Sequence, residues 1–261
     1  MPIEIVDSHT HLDSKEFDID RDAVIERAFA RGVTQIITIG ASRGFDSASR
    51  AIALAEGNDR IFASAGIHPH DAETPFDLDR LRVLAKHPRV VAIGETGFDF
   101  FKCLAPKEDQ ERWFRAQVEL AREIKKPLII HSREAGQESL SLLKASGASQ
   151  VGGVFHCFSE DAAFAEKLTE INFLVSFPGT ITFKKADLLR EIVKAIPLSQ
   201  IMVETDAPYM APEPNRGKRC ESSFVVDTLA ALSTIKGVSF EEAARVTTNN
   251  AKRLFNLPSL A

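Results

Sequence analysis

Eight short runs rich in Ile, Val and Phe alternate with stretches of helical periodicity. With 261 residues and no compositional break, they predict a (β/α)8 barrel of the TIM type. Strands separated by helices pair in parallel. Eight such units in about 250 residues are the size of a closed barrel. No linker or low-complexity tract divides the chain, so residues 1–261 read as a single domain with extra C-terminal helices. The alternative is an open doubly wound sheet, which binds ligand where strand order reverses. No Gly-rich phosphate loop follows the first strand, which counts against its nucleotide-binding version.

The elements follow in order. Ile3, Ile5 and Val6 make an apolar strand leading into Asp7-Ser8-His9-Thr10-His11. Side chains alternate faces along a strand, so His9 and His11 point the same way. A helix over 20–31 carries Val24, Ala28 and Phe29 on one face and stops at Gly32. Strand two is 33–39, and a helix over 45–55 follows. Strand three, 61–67, runs into His68-Pro69-His70. A helix over 78–86 leads to strand four, 90–93, which ends in Gly94-Glu95-Thr96-Gly97. A long helix over 107–125 precedes strand five, 128–130, ending at His131. A helix over 135–145 precedes strand six, 153–155, ending at His156. Helix 162–170, strand 173–177 and helix 185–195 lead to strand eight, 201–204, which ends in Thr205-Asp206-Ala207-Pro208. Two closing helices are predicted over 223–235 and 240–254, the second capped by Ser239 ahead of Glu241 and Glu242.

Composition narrows the function classes. The formal net charge of -5 gives no global basic field, so a polyanion partner needs a local patch or metal ions. Cys103, Cys157 and Cys220 are odd in number and scattered, which excludes a disulfide framework and fits a reducing compartment. No signal-peptide pattern and no apolar run of roughly 20 residues is present, so the reading is cytoplasmic, without membrane association.

The ligand-type residues fall at strand ends. Six of the seven histidines, all but His87, lie at or just after one, together with Glu95 and Asp206. In a barrel these positions converge on one rim. His9, His11, His131 and His156 with Glu95 and Asp206 exceed what one tetrahedral ion needs. Two divalent ions about 3.5–4 Å apart, sharing a carboxylate, use them all. Mixed imidazole and carboxylate donors suit Zn, Mn or Fe, and Mg, which favours oxygen, less well. Glu95 has the reach to bridge, and Asp206 is the natural general base.

At this point the ordered motifs resemble the TatD family of metal-dependent deoxyribonucleases. They are Asp7-Ser8-His9-Thr10-His11-Leu12, Gly66-Ile67-His68-Pro69, Gly94-Glu95-Thr96-Gly97-Phe98-Asp99-Phe100, His131-Ser132-Arg133, His156-Cys157-Phe158-Ser159 and Glu204-Thr205-Asp206-Ala207-Pro208. Arg216 to Arg219 and the closing Asn250-Ala251-Lys252-Arg253-Leu254-Phe255 also fit. The resemblance covers essentially the whole chain. It implies a two-metal phosphodiesterase, typically a 3′→5′ exonuclease on DNA, acting on single-stranded or frayed 3′ ends. Carried over, His9, His11, Glu95 and Asp206 hold one metal, and Glu95, His131 and His156 the other. His68 and Arg133 face the scissile phosphate, and Glu204 is placed with the substrate group or as a support to a ligand. Where the family has Asn-Glu-Pro, this chain has Cys220-Glu221-Ser222, which predicts a looser loop. Glu160 stands where the family often has Gly.

Weaker signals complete the expectation. Lys184 and Arg219 follow strands seven and eight and are expected to contact phosphates beyond the scissile one. Phe98, Phe100 and Phe101 either stack on bases or cap a helix. Cys157 reads as a buried structural cysteine facing away from His156. A monomer is expected. The rival function is a small-molecule amidohydrolase acting on cyclic amides, lactones or esters. Many relatives on this barrel bridge their metals with a carboxylated lysine, yet here no lysine ends a predicted core strand.

Overall fold

A computed structural model describes residues 3–259. Eight strands form one parallel sheet in sequential order: β1 (Ile5–Thr10), β2 (Val33–Thr38), β3 (Ile61–Ala65), β4 (Val90–Asp99), β5 (Leu128–Arg133), β6 (Gly153–Phe155), β7 (Phe173–Phe177) and β8 (Ile201–Val203). Between them lie α1 (Arg21–Ala30), α2 (Phe45–Gly57), α3 (Leu78–Ala85), α4 (Lys107–Ile124), α5 (Gly136–Ala145), α6 (Ala162–Thr169) and α7 (Asp187–Ala195). The closing pair is α8 (Val225–Lys236) and α9 (Phe240–Phe255). The predicted (β/α)8 barrel is therefore the observed fold. No single helix among the described residues is long and apolar enough to cross a membrane.

Strand alternation sorts the apolar side chains into two clusters. Ile36, Leu128, Ile130, Phe155 and Val175 pack outward against the helices. Val6, Ile37, Phe62, Ala92, Ile129, Val154 and Met202 form a second cluster with Leu174 packed against it, so every strand contributes to the barrel interior. Ala251, Phe255 and Leu257 join that interior cluster. They sit over the starts of the strands, where Asn250 donates to the Ile201 carbonyl (2.8 Å) and Thr248 to the Glu4 carbonyl (2.8 Å). Thus α9 plugs the N-terminal mouth and leaves the C-terminal mouth to the site.

The seam between β8 and β1 closes just past the strand end. Asp206 N–H donates to the His9 carbonyl (2.9 Å) and His11 N–H to the Ala207 carbonyl (2.8 Å). The buried Asp7 carboxylate accepts from Thr205 N–H (3.0 Å) and the Thr205 hydroxyl (2.7 Å). Two metal-ligand candidates from opposite ends of the chain, His9 and Asp206, are thereby held together by the closure itself.

Two strands run longer than the sequence suggests. β4 continues six residues past Ile93, and β5 includes His131 to Arg133. Gly94 and Gly97 lie beyond the predicted strand end at Ile93, but they stand inside β4 at φ 135° and 141°. A Cβ at Gly97 would lie 2.0 Å from the His131 carbonyl oxygen, so the close approach of β5 requires glycine there.

The strand-start end carries stability rather than chemistry. The half-buried Lys126 ammonium donates to the carbonyls of Ala85 (2.6 Å), His87 (3.3 Å) and Val90 (2.6 Å), closing the end of α3. We expect Lys126→Met to lower stability by about 2 kcal/mol. That corresponds to a fall in Tm of roughly 4–8 °C for a chain of this size. Hydrolytic activity at 25 °C should be unchanged. Thermal unfolding and a parallel activity assay check both halves.

Candidate metal centre

At the C-terminal mouth the six sequence-predicted ligands meet around Glu95. This carboxylate is 2% exposed, and its two oxygens face different partners. Oε2 lies 3.5 Å from His9 Nε2 and 3.9 Å from His11 Nε2. Oε1 lies 2.6 Å from His156 Nε2, 2.9 Å from His131 Nδ1 and 3.4 Å from His68 Nε2. Asp206 Oδ1 completes the first side, 3.3 Å from His11 Nε2 and 3.6 Å from His9 Nε2. Among the described residues, the triads His9–His11–Asp206, His9–Glu95–His156, His68–Glu95–His131 and His70–Asp99–His131 each place their donor atoms within 4.8 Å of one another.

Each donor is fixed by its element. His9 ends β1 and stacks on His156, ring centroids 3.9 Å apart. Asp206 sits just beyond β8 at φ 53°, a left-handed conformation that Asp tolerates better than most residues and that active sites commonly hold. On the inner face of α4, Gln117 accepts from Ile67 N–H (2.8 Å) and donates to the Thr96 hydroxyl (2.6 Å). It ties the residue before His68 to the residue after Glu95. Glu204 is fully buried, accepts from Cys157 N–H (2.6 Å) and the Ser176 hydroxyl, and lies 3.6 Å from His156 Nδ1.

The carboxylates set the charge of the centre: Glu95, Asp99 and Asp206 raise His11, His131 and His156, so a cation bound there displaces protons from these rings. Burial opposes ionisation of Glu95, but His156 and His68 outweigh it and hold its carboxyl well below the usual range. For Asp206, burial is likewise outweighed, by His11. Burial, assisted by the His156 charge, lowers His9. Burial also disfavours charge on His11, yet the Asp206 carboxylate raises it to about 9. The carboxylates are anionic and His9 is neutral, the forms that ligate a metal. His9 supplies the test of fit: it is 1% exposed, and neither ring nitrogen has a hydrogen-bond partner. Two orphaned buried nitrogens are costly without an electrophile to meet them. Nitrogen and oxygen donors, four imidazoles and two carboxylates, fit borderline divalent ions.

His68 is placed differently. Its Nδ1 accepts from His70 N–H (3.0 Å), so its proton resides on Nε2 and points toward Glu95. Burial lowers its pKa to about 4, leaving a neutral imidazole whose Nε2 donates.

The centre floors a cavity of about 680 Å³ whose rim carries three cations, Arg43, Lys102 and Arg133. Arg133 was expected here; Arg43 and Lys102 were not. Two expected phosphate contacts lie elsewhere. Arg219 is engaged by Asp20 (2.7 and 2.9 Å) and rests over Phe17, and Lys184 lines a separate hollow with Phe183 and Arg216. Glu204 does not line the cavity, so the structure favours its support of His156 over substrate contact. Cys157 corrects the sequence reading. β6 ends at Phe155, and Cys157 turns at φ 47° to line the cavity instead of facing away. Burial raises its thiol well above the usual range, so it is no nucleophile at neutral pH. Phe98 is buried against Phe114, and the exposed Phe101 lies under the Arg133 guanidinium (4.0 Å). Nor is the loop without its proline loose: Cys220 is buried and Glu221 grips Arg27 through two oxygens.

Asp99 and His70 are members of the site that carried no role in the sequence. Asp99 follows Glu95 by four residues on the same strand, and that offset was the available signal.

Residues 6–256 match the family model described as TatD related DNase. A Bacillus subtilis (strain 168) protein called uncharacterized metal-dependent hydrolase YabD is 42% identical, over 97% of this chain and 99% of its own. An Enterobacter lignolyticus protein called 3′-5′ ssDNA/RNA exonuclease TatD is 33% identical, over 96% of this chain and 98% of its own. The crystal structure of YjjV, a TatD homologue from Escherichia coli K12, superposes with a TM-score of 0.90 at 30% identity, covering 99% of this chain and all of that one. With the centre in place and the match running from β1 to α9, the chain belongs to the TatD-related DNase family and is a metal-dependent hydrolase.

Proposed function

We propose that this chain hydrolyses phosphodiester bonds of DNA from the 3′ end, using two divalent ions held on either side of Glu95. The observation that carries this reading is the division of the Glu95 oxygens. One faces His9 and His11, the other His131 and His156, as a bridging carboxylate requires. When bound, the ions supply Lewis acidity, lowering the pKa of a water to about 7 and offsetting charge on the phosphoryl oxygens. Asp206 orients the attacking water and takes its proton. His68 offers its Nε2–H as a hydrogen-bond donor to a phosphoryl oxygen, and Arg133 at the rim binds the same phosphate. Arg43 and Lys102 receive the flanking phosphates, so an acidic chain needs no basic surface beyond this rim. The name of the Enterobacter relative supports a nucleic-acid substrate and a 3′→5′ direction.

The test is cleavage of single-stranded DNA labelled at either end, by metal-stripped protein and by protein given Mg²⁺, Mn²⁺ or Zn²⁺. Shortening from the 3′ end that depends on metal and is absent in His9→Ala/His11→Ala supports the reading. No cleavage by protein carrying two ions overturns it in favour of a small-molecule ester, lactone or amide substrate.

The rim makes a separate prediction. Arg133→Ala weakens DNA binding and reduces the slope of log K against log salt by about one. Arg219→Ala changes neither, because its charge is already held by Asp20. Binding isotherms at several salt concentrations distinguish the two.

A further inference from the structure

The chain of hydrogen bonds from His131 to Asp99 to His70 runs away from Glu95 and has no part in the mechanism above. Asp99 is fully buried at the end of β4. Its Oδ1 accepts from Lys102 N–H (2.7 Å). Its Oδ2 faces two imidazoles, His131 Nε2 at 3.1 Å and His70 Nε2 at 2.7 Å. The opposite nitrogen of the same His131 ring, Nδ1, is the one aimed at Glu95.

The geometry points to Asp99 as a positioning residue: it fixes His131 with the proton on Nε2, so that the Nδ1 lone pair faces the ion on the Oε1 side of Glu95. The inference rests on the two-ion reading. An imidazole free to rotate presents either nitrogen. A buried acceptor on one side selects both the tautomer and the ring angle, and raises the basicity of the nitrogen on the other. Asp99 can serve because it is itself immobile. Gln110 on α4 accepts from Asp99 N–H (2.9 Å) and donates to the Ala105 carbonyl (2.8 Å), fixing the backbone. The second imidazole, His70, occupies the same oxygen and keeps the carboxylate from turning. Among the described residues the Asp99 carboxylate reaches His131 but not His9, His11 or Asp206, so its removal should fall on one ion alone.

Cobalt(II) titration of the metal-stripped full chain, followed by its visible d–d bands, reads the two binding steps separately. His131→Ala marks which step belongs to the His131 side. We expect Asp99→Asn to weaken that same step by about 10–100-fold and to leave the other within threefold. The metal-free variant should unfold at the temperature of the metal-free parent. His70→Phe removes the second donor but keeps Asp99 and His131, and should weaken the same step by about threefold. It keeps the test open if Asp99→Asn does not fold. An unchanged His131 step, or equal weakening of both steps, overturns the inference. So does saturation of the parent at three ions, which would place a cation on Asp99 itself. Saturation of the parent at one ion instead overturns the two-ion reading beneath it, a distinct result.

Discussion

Asp206→Asn should lower kcat by about 10²–10⁴-fold, the contribution expected of a positioned general base. The substitution is nearly isosteric, and Asn tolerates the left-handed backbone at this position, where φ is 53°. The fold and the seam bond from Asp206 N–H to the His9 carbonyl should survive. What changes is the oxygen facing His11 and His9 at 3.3 and 3.6 Å, from an anionic base to a neutral amide. Measured with metal content confirmed, kcat should fall while KM moves little, because the lost interaction belongs to the transition state. Activity within a few-fold of the parent, with both ions present, would remove Asp206 from the general-base role.

Glu95→Gln should have the larger effect. Five imidazoles surround this one buried carboxylate: His9 and His11 on one oxygen, His68, His131 and His156 on the other. A glutamine keeps one carbonyl oxygen and turns the other position into a donor, which no cation accepts. One side of the centre loses its ligand, and the negative charge shared by both is lost. An ion contributes several kcal/mol to the transition state, and each 1.4 kcal/mol is a factor of ten. We expect kcat/KM to fall by about 10³-fold or more and bound metal to drop to one ion or fewer per chain. Elemental analysis of the dialysed protein beside steady-state kinetics checks both. Retention of two ions at parental activity would mean that Glu95 bridges nothing.

Much of this was legible because barrel geometry turns sequence order into spatial order. Every strand end points to one rim, so His9, His11, Glu95, His131, His156 and Asp206 could be gathered without coordinates. What was illegible depended on contacts between distant residues. Gly94 and Gly97 looked like the end of a strand, and the reading stopped at Ile93. The close approach of β5 is what demands glycine there, and it carries the strand on to Asp99. The cations failed for a related reason. Arg219 follows β8 as expected, but Asp20, 199 residues away, already binds it away from the cavity, and no local pattern reveals that pairing. Similarly, the loop at Cys220 lacks the family's proline but gains the clasp between Glu221 and Arg27, 194 residues apart. Cys157 lies two residues beyond the end of β6, where strand alternation no longer sets which way a side chain faces.

The division of the Glu95 carboxylate between two donor sets is the centre of this account. Anomalous diffraction at the manganese edge, from crystals grown with Mn²⁺, tests it most directly. Two peaks about 3.5–4 Å apart are expected, one between Glu95 Oε2 and the His9, His11 and Asp206 side chains, the other between Oε1 and the His131 and His156 rings. A single peak, or a pair of peaks that Glu95 does not bridge, would contradict it.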